Sequence, residues 1–321
     1  MGRIPLILCA ILLDLLIGDP ESWPHPVRAM GSYIVYFKRR WIRDSLTANQ
    51  KLIRGSLLWV SLVVMTLTVV LLVTKGLATI HEGLADIWSL YLFYSGLSIK
   101  SLAQEARRVQ QALRERGLIA GRQQVARIVG RQTDQLSQEE VIKATVETVA
   151  ENTCDGVIAP LFYGLLFGPA GMMVYKAVNT MDSMLGYRSP AYEHLGKPAA
   201  LMDDGFNYLP ARLGALFMVF ACWLLNYQPQ KAIQILIRDR RQHASPNAGY
   251  AEAVVAGALG LQLGGGHYYH GQWVDKASIG DHLNQASLKD ITRVNRILYL
   301  TSGLVFVLLG LIQLLCWKEG I

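Results

Sequence analysis

Two uncharged apolar runs constrain the fold most: Ser56–Val73 (SLLWVSLVVMTLTVVLLV) and Ile297–Trp317 (ILYLTSGLVFVLLGLIQLLCW). As helices rising ~1.5 Å per residue, both approach or exceed the roughly 30 Å hydrocarbon core of a bilayer. Lipid offers no hydrogen-bond partner, so a spanning run must satisfy its backbone internally, as a helix does. Leu213–Tyr227 is shorter and strongly apolar. Ile87–Ile99 and Val157–Val178 are weaker, the latter broken by Gly168-Pro169-Ala170-Gly171 and carrying Lys176. Composition agrees. The chain is 52% hydrophobic and 17% charged, against about 25% charged in soluble domains. Ile4–Gly18 lacks an A-x-A-like cleavage site and is interrupted by Asp14. It reads as a first helix, spanning or re-entrant, rather than a signal peptide. No alternating strand pattern is sustained. The expectation is an all-α, polytopic integral membrane protein with transmembrane and re-entrant helices and cytoplasmic helical segments. It would be one membrane-embedded domain over residues 1–321, with polar segments at about 19–55, 100–155, 179–212 and 228–295.

The net charge of +7 is localised. Lys38, Arg39, Arg40, Arg43, Lys51 and Arg54 crowd the first polar segment, and Arg107, Arg108, Arg114, Arg116, Arg122, Arg127 and Arg131 the second. Basic loops stay cytoplasmic. Both can do so if 56–73 and about 84–99 form a transmembrane hairpin. The charge serves topology and anionic lipid, or draws in an anionic substrate. Without basic and aromatic interleaving, nucleic acid is not an expected partner. The four cysteines form no CxxC pair, so neither a redox motif nor a disulfide framework is indicated.

ETVAENTCDGVIAP, Glu147–Pro160, spaces Glu147, Glu151 and Asp155 four residues apart. On a helix, four residues advance about 400°, so the acids share one stripe and repel by a few tenths of a kcal/mol per pair. The stripe faces water, or something positive sits against it. Ser137 and Glu140 form a capping-box signature that opens this helix.

Other polar groups collect at the ends of the apolar runs. In DLLIGDPESWPHPVR, Asp19, His25 and Arg28 sit in a Pro-stiffened loop that is a plain linker or a preorganised ligand loop. In YKAVNTMDSMLGY, Lys176, Asn179 and Asp182 follow at helical spacing. A lone Lys could snorkel, whereas the three together at membrane depth favour function. In MDDGFNYLPARL, Asp203 and Asp204 are either an N-cap with its first turn or ligands for Mg²⁺. Asn207 and Arg212 lie downstream. SPNAGYAEAVVAGALGLQLGGG combines small residues suited to close helix packing with Asn247, Glu252 and a Gly264-Gly265-Gly266 run whose bare amides suit an anion. There is no P-loop, HExxH or G-x-S-x-G motif. These features fit an enzyme acting on a phosphorylated or metal-bound substrate, and a cation-coupled transporter almost as well.

Taken in order, DLLIGDPESWPHPVR, VETVAENTCDGVIAPLFYGLLFG, YKAVNTMDSMLGY, DDGFNYLPARL and SPNAGYAEAVVAGALGLQLGG resemble the CobD/CbiB family of cobalamin biosynthesis, from about Asp14 to Asp281. The resemblance implies an adenosylcobinamide-phosphate synthase. Such an enzyme joins (R)-1-amino-2-propanol, or its O-phosphate, to the f-propionate of adenosylcobyric acid at the expense of ATP. It implies an amide-forming ligase of the inner cell membrane, with its active site on the cytoplasmic side, other late-pathway enzymes as partners, and ATP and Mg²⁺ as co-substrate and metal. The expected catalytic groups are Glu147, Glu151, Asp155, Lys176 and Asp182. Asp19, His25, Arg28, Arg131, Asn152, Asn179, Asn207, Arg212, Asn247 and Glu252 would contact substrate, and Asp203 and Asp204 the metal. One departure stands out: the family's GRDT is Gly130-Arg131-Gln132-Thr133 here, with an amide replacing the acid. The alternative is a transporter of a corrinoid or an ion.

Overall fold

A computed structural model describes residues 2–319 apart from Glu21, Asp44, 187–191 and His270. Among the described residues three helices are long and apolar enough to cross a membrane: Ala48–Ile80, Gln138–Leu185 and Leu288–Leu315. The protein is an all-α membrane protein, and its chain folds into two compact units, each built from segments distant in sequence.

The first unit comprises Met1–Ser98, Ala159–Asn207 and Leu309–Ile321. It holds α1 (Arg3–Ile17), α2 (Pro26–Trp41), α3 (Ala48–Ile80), α4 (Glu82–Ser95), α7 (Ala159–Leu185) and α8 (Lys197–Phe206). The predicted span 56–73 lies within α3, whose start is fixed by a Thr47/Gln50 capping box. Gly18, at φ 79°, ends α1 where a β-carbon would be strained. In α7 the Gly168-Pro169 break is a kink, not an end: Gly168 adopts φ 70° and helix continues on both sides. Asp203 and Asp204 lie in the second half of α8, so they are not an N-cap and first turn.

The second unit comprises Ile99–Ile158 and Tyr208–Leu308. It holds α5 (Ile99–Val125), α6 (Gln138–Thr153), a π-helical turn (Cys154–Ile158), α9 (Tyr208–Leu224), α10 (Pro229–Asp239), α11 (Ala248–Leu259) and the start of α12 (Leu288–Glu319). The predicted capping box at Ser137 and Glu140 is present, each side chain bonding the other's backbone amide. The Gln110 side chain ties α5 to the first turns of α12, donating to Leu288 O at 2.7 Å and Thr292 Oγ1 at 2.8 Å. Two short antiparallel pairs, Leu263–Gly264 (β1) with Ser278–Ile279 (β4) and His267–Tyr269 (β2) with Gln272–Val274 (β3), add a little sheet to the predicted all-helical chain. Strands of two and three residues are too short to show periodicity in sequence.

Every residue of α11 is buried except Tyr250, which is half-buried. Its Ala and Gly positions let neighbouring backbone approach. A β-carbon on Gly257 would fall 2.5 Å from Lys231 O and 2.8 Å from Ala232 Cα of α10. Overpacking of this kind costs about 1–3 kcal/mol. Gly257→Val should lower the melting temperature in detergent, and an unchanged melt would show that this seam opens freely.

Candidate functional site

The site of the second unit grows from α6. Glu147, on its third turn, is 4% exposed. Its Oε2 accepts from Arg131 Nη2, and its Oε1 accepts the backbone N–H of Gly264 at 2.7 Å. Arg131 also meets His267 Nε2 at 2.6 Å, which assigns that nitrogen as acceptor and the ring proton to Nδ1. The positive group required by the acid stripe is therefore Arg131. The anion that the Gly264 N–H holds is the protein's own Glu147, a charge-assisted bond of the stronger kind.

The stripe itself is broken. Glu151 and Asp155 are half-buried where Glu147 is buried. Asp155 lies in the π turn, whose wider winding does not hold the four-residue spacing on one line; such turns recur at functional sites. The Asn152 amide bonds back to Thr148 O at 2.9 Å, inside its own helix.

A cavity of about 160 Å³ opens beside this pair, lined by Arg131, Glu147, Glu252, His243, His267 and Lys276, with the Gly264-Gly265 backbone. Glu252 is 4% exposed on α11, and its Oε1 lies 3.7 Å from His243 Nε2. Burial pushes the Glu252 carboxyl well above the usual range, and Glu147 and Glu151 add to the rise. Burial lowers the His243 imidazole, with Glu151 opposing. His267 is lowered by burial and then by Arg131.

Arg212 lies over the rings of Tyr208 (3.5 Å) and Tyr250 (4.6 Å) and reaches Asn247 Oδ1 at 3.4 Å. This joins α9 to the start of α11. His243 and Lys276 are not singled out by the sequence, and His267 is there only one of several scattered histidines. His243 lies nine residues before Glu252, in a loop whose turn alone brings the two together.

The first unit gathers a second set. Asp203, 8% exposed, accepts from Asn179 Nδ2 at 3.4 Å and Asn207 Nδ2 at 3.0 Å. Asn207 Oδ1 in turn accepts from the Tyr175 hydroxyl at 2.9 Å. His25 caps α2, its Nδ1 accepting the Val27 N–H at 3.3 Å, which leaves the neutral ring's proton on Nε2, 3.6 Å from Asp19 Oδ1. Burial lowers His25; Asp19 opposes, and Arg28 and Lys176 reinforce the fall. Arg28 donates to the carbonyls of Trp23 and Pro20, bracing the proline loop. Asp182, Asp204 and Lys176 are half-buried.

Among the described residues no three His, Cys, Asp or Glu groups are placed to enclose a metal. Both Asp203 oxygens accept amide hydrogens, and with the neighbouring Asp204 they make too few groups for an all-protein cage.

The family described as CobD/Cbib protein matches residues 7–298. A cobalamin biosynthesis protein CobD of Listeria monocytogenes is 44% identical over 95% of this chain and 97% of its own. One from Streptococcus sanguinis is 46% identical over 96% and 97%. The cobalamin biosynthesis protein CbiB of Salmonella typhimurium is 42% identical over 97% of each chain. No solved structure matches significantly. With relatives so similar along almost their whole length, this membrane protein belongs to the CobD/CbiB family.

Proposed function

We propose that the protein works in cobalamin biosynthesis as an adenosylcobinamide-phosphate synthase. It would make an amide between the f-propionate of adenosylcobyric acid and (R)-1-amino-2-propanol or its O-phosphate, with cleavage of ATP. The observation that carries this reading is the buried Arg131–Glu147 pair beside the Glu252 carboxyl, in a cavity to which two of the motifs that carry the family likeness contribute Glu147, Glu252, Gly264 and Gly265. A buried ion pair costs desolvation, and it stands here with a raised carboxyl in a cleft, the combination expected of a reaction centre.

A carboxylate does not condense with an ammonium ion in water. In the proposed route the f-propionate oxygen attacks the γ-phosphorus of ATP, giving an acyl phosphate and ADP. The amine nitrogen then attacks the acyl carbon, the C–O bond to phosphate breaks, and the nitrogen gives up its proton. Glu151, half-exposed one turn beyond Glu147, is the proposed acceptor of that proton, with Asp155 near it in sequence. Arg131 and Lys276 supply positive charge for anionic oxygens. Asp203 and Asp204 are the proposed Mg²⁺ ligands, and the ion would neutralise triphosphate charge. Lys176, Asn179 and Asp182 are proposed to serve the same ligands, and Asp19, His25 and Arg28 to bind substrate from the first loop. Inner-membrane residence, a cytoplasmic site and hand-over of corrinoids to other late-pathway enzymes complete the proposal.

Purified protein in nanodiscs, given adenosylcobyric acid, aminopropanol phosphate and MgATP, should yield adenosylcobinamide phosphate and ADP in equal amounts. ATP-independent movement of a corrinoid across sealed vesicles, with no amide formed, would replace the ligase with a transporter. Glu151→Gln should remove product while membrane insertion is kept. Normal turnover by that variant would take the proton-acceptor role away from Glu151.

A further inference from the structure

Glu252 meets His243 Nε2 at 3.7 Å. His243 Nδ1 accepts the Ser245 N–H at 3.0 Å. The neutral ring thus carries its proton on Nε2, the atom facing Glu252. An imidazolium would put a hydrogen on Nδ1 and lose the Ser245 bond. Arg131 is already paired with Glu147. The other groups facing Glu252 are Glu147 and Glu151 from α6 and Lys276 from the β3–β4 connection, with Asp275 and His267 also on the cavity wall. Ionising Glu252 would bring a third carboxylate beside two others.

We propose that this cavity is a phosphate-monoester subsite in which Glu252 serves as a neutral acid, donating its proton to a phosphate oxygen while Arg131 and Lys276 supply the positive charge. With Oε1 facing the His243 N–H, the acid proton belongs on Oε2. An Arg guanidinium carries five donors in a fixed fork, so Arg131 can face a phosphate oxygen while it holds Glu147. A volume of about 160 Å³ suits one phosphate with a short tail better than a triphosphate, since drug-sized ligands fill ~300–1,000 Å³. The inference deepens the ligase reading and rests on it for the identity of the ligand, aminopropanol phosphate.

A site whose competent form is the protonated acid loses affinity as pH rises through the pKa of that acid, by up to about tenfold per pH unit. The test is calorimetric binding of (R)-1-amino-2-propanol O-phosphate to the full chain in nanodiscs, without ATP. The range is about pH 6.5 to 9, where the phosphate is largely a dianion. The wild-type Kd should rise with pH more steeply than that of Glu252→Gln, which keeps a neutral donor at every pH. A flat wild-type profile, no wild-type binding, an unchanged slope in Glu252→Gln, or ATP following the pH law in place of the amine phosphate would overturn the subsite. The wild-type slope decides the matter even if the variant does not fold. Turnover with MgATP in the same preparation separates the two readings. Amide formation with flat binding removes the subsite and keeps the ligase; steep binding without amide does the reverse.

Discussion

Arg131→Ala is expected to cost about 3–5 kcal/mol of stability and to abolish amide formation. The side chains of Arg131 and Glu147 are 12% and 6% exposed, so the substitution strands a carboxylate that is largely shielded from water. One compensating bond remains, from the Gly264 N–H at 2.7 Å, and a single amide does not replace a guanidinium. His267 Nε2 also loses its donor. If the buried charge is the cause, neutralising it should restore stability. Arg131→Ala combined with Glu147→Gln should therefore melt several degrees above Arg131→Ala alone. Turnover should stay lost, because the positive charge proposed for the substrate is gone. A double variant no more stable than the single one would place the cost in lost packing of the Arg side chain instead.

How much of this site the sequence discloses depends on the range of the interaction. Ser137 and Glu140 are three residues apart, and their capping box needs nothing beyond local backbone, so it is legible and present. The long helices are equally legible, because apolar length alone demands them in lipid. The stripe of Glu147, Glu151 and Asp155 is legible only in part. Four-residue spacing assumes uniform α-helix, and the π turn at Cys154–Ile158 follows from packing that no periodicity encodes. The partners of Glu147 are remote: Arg131 sits 16 residues away and the Gly264 amide 117. The Gly264-Gly265-Gly266 run offers bare amides, while the group that Gly264 meets, a carboxylate from another element, is set by tertiary contact. The same holds for Gln132. Its backbone N–H bonds Tyr268 O and its side chain accepts the Gly271 N–H at 3.2 Å. The Gln132 amide thus steadies the β2–β3 hairpin next to the site.

Asp203→Leu should destabilise the first unit by about 2–6 kcal/mol, counting ~1–3 for each donor left without its acceptor. The Asn179 and Asn207 amides both donate to Asp203, and Asn207 is 3% exposed, beneath a fully buried Tyr175. The loss would pass along the chain, since Asn207 orients the Tyr175 hydroxyl that donates to it. Asp203→Asn is the more informative change. It keeps the volume and one acceptor oxygen, but its NH2 would face one of the two amide donors, so stability should fall by about 1–3 kcal/mol. A metal ligand is far less forgiving, because the substitution removes the charge that draws a hard cation. If Asp203 holds Mg²⁺ together with Asp204, the Mg²⁺ concentration for half-maximal turnover should rise at least ~10-fold in Asp203→Asn. A Mg²⁺ titration of amide formation, run beside the melt, separates the roles. An unchanged Mg²⁺ requirement with the melt lowered would make Asp203 the keystone of a buried amide network and move the metal to other groups. A shifted requirement with the melt nearly intact would place the ion at α8.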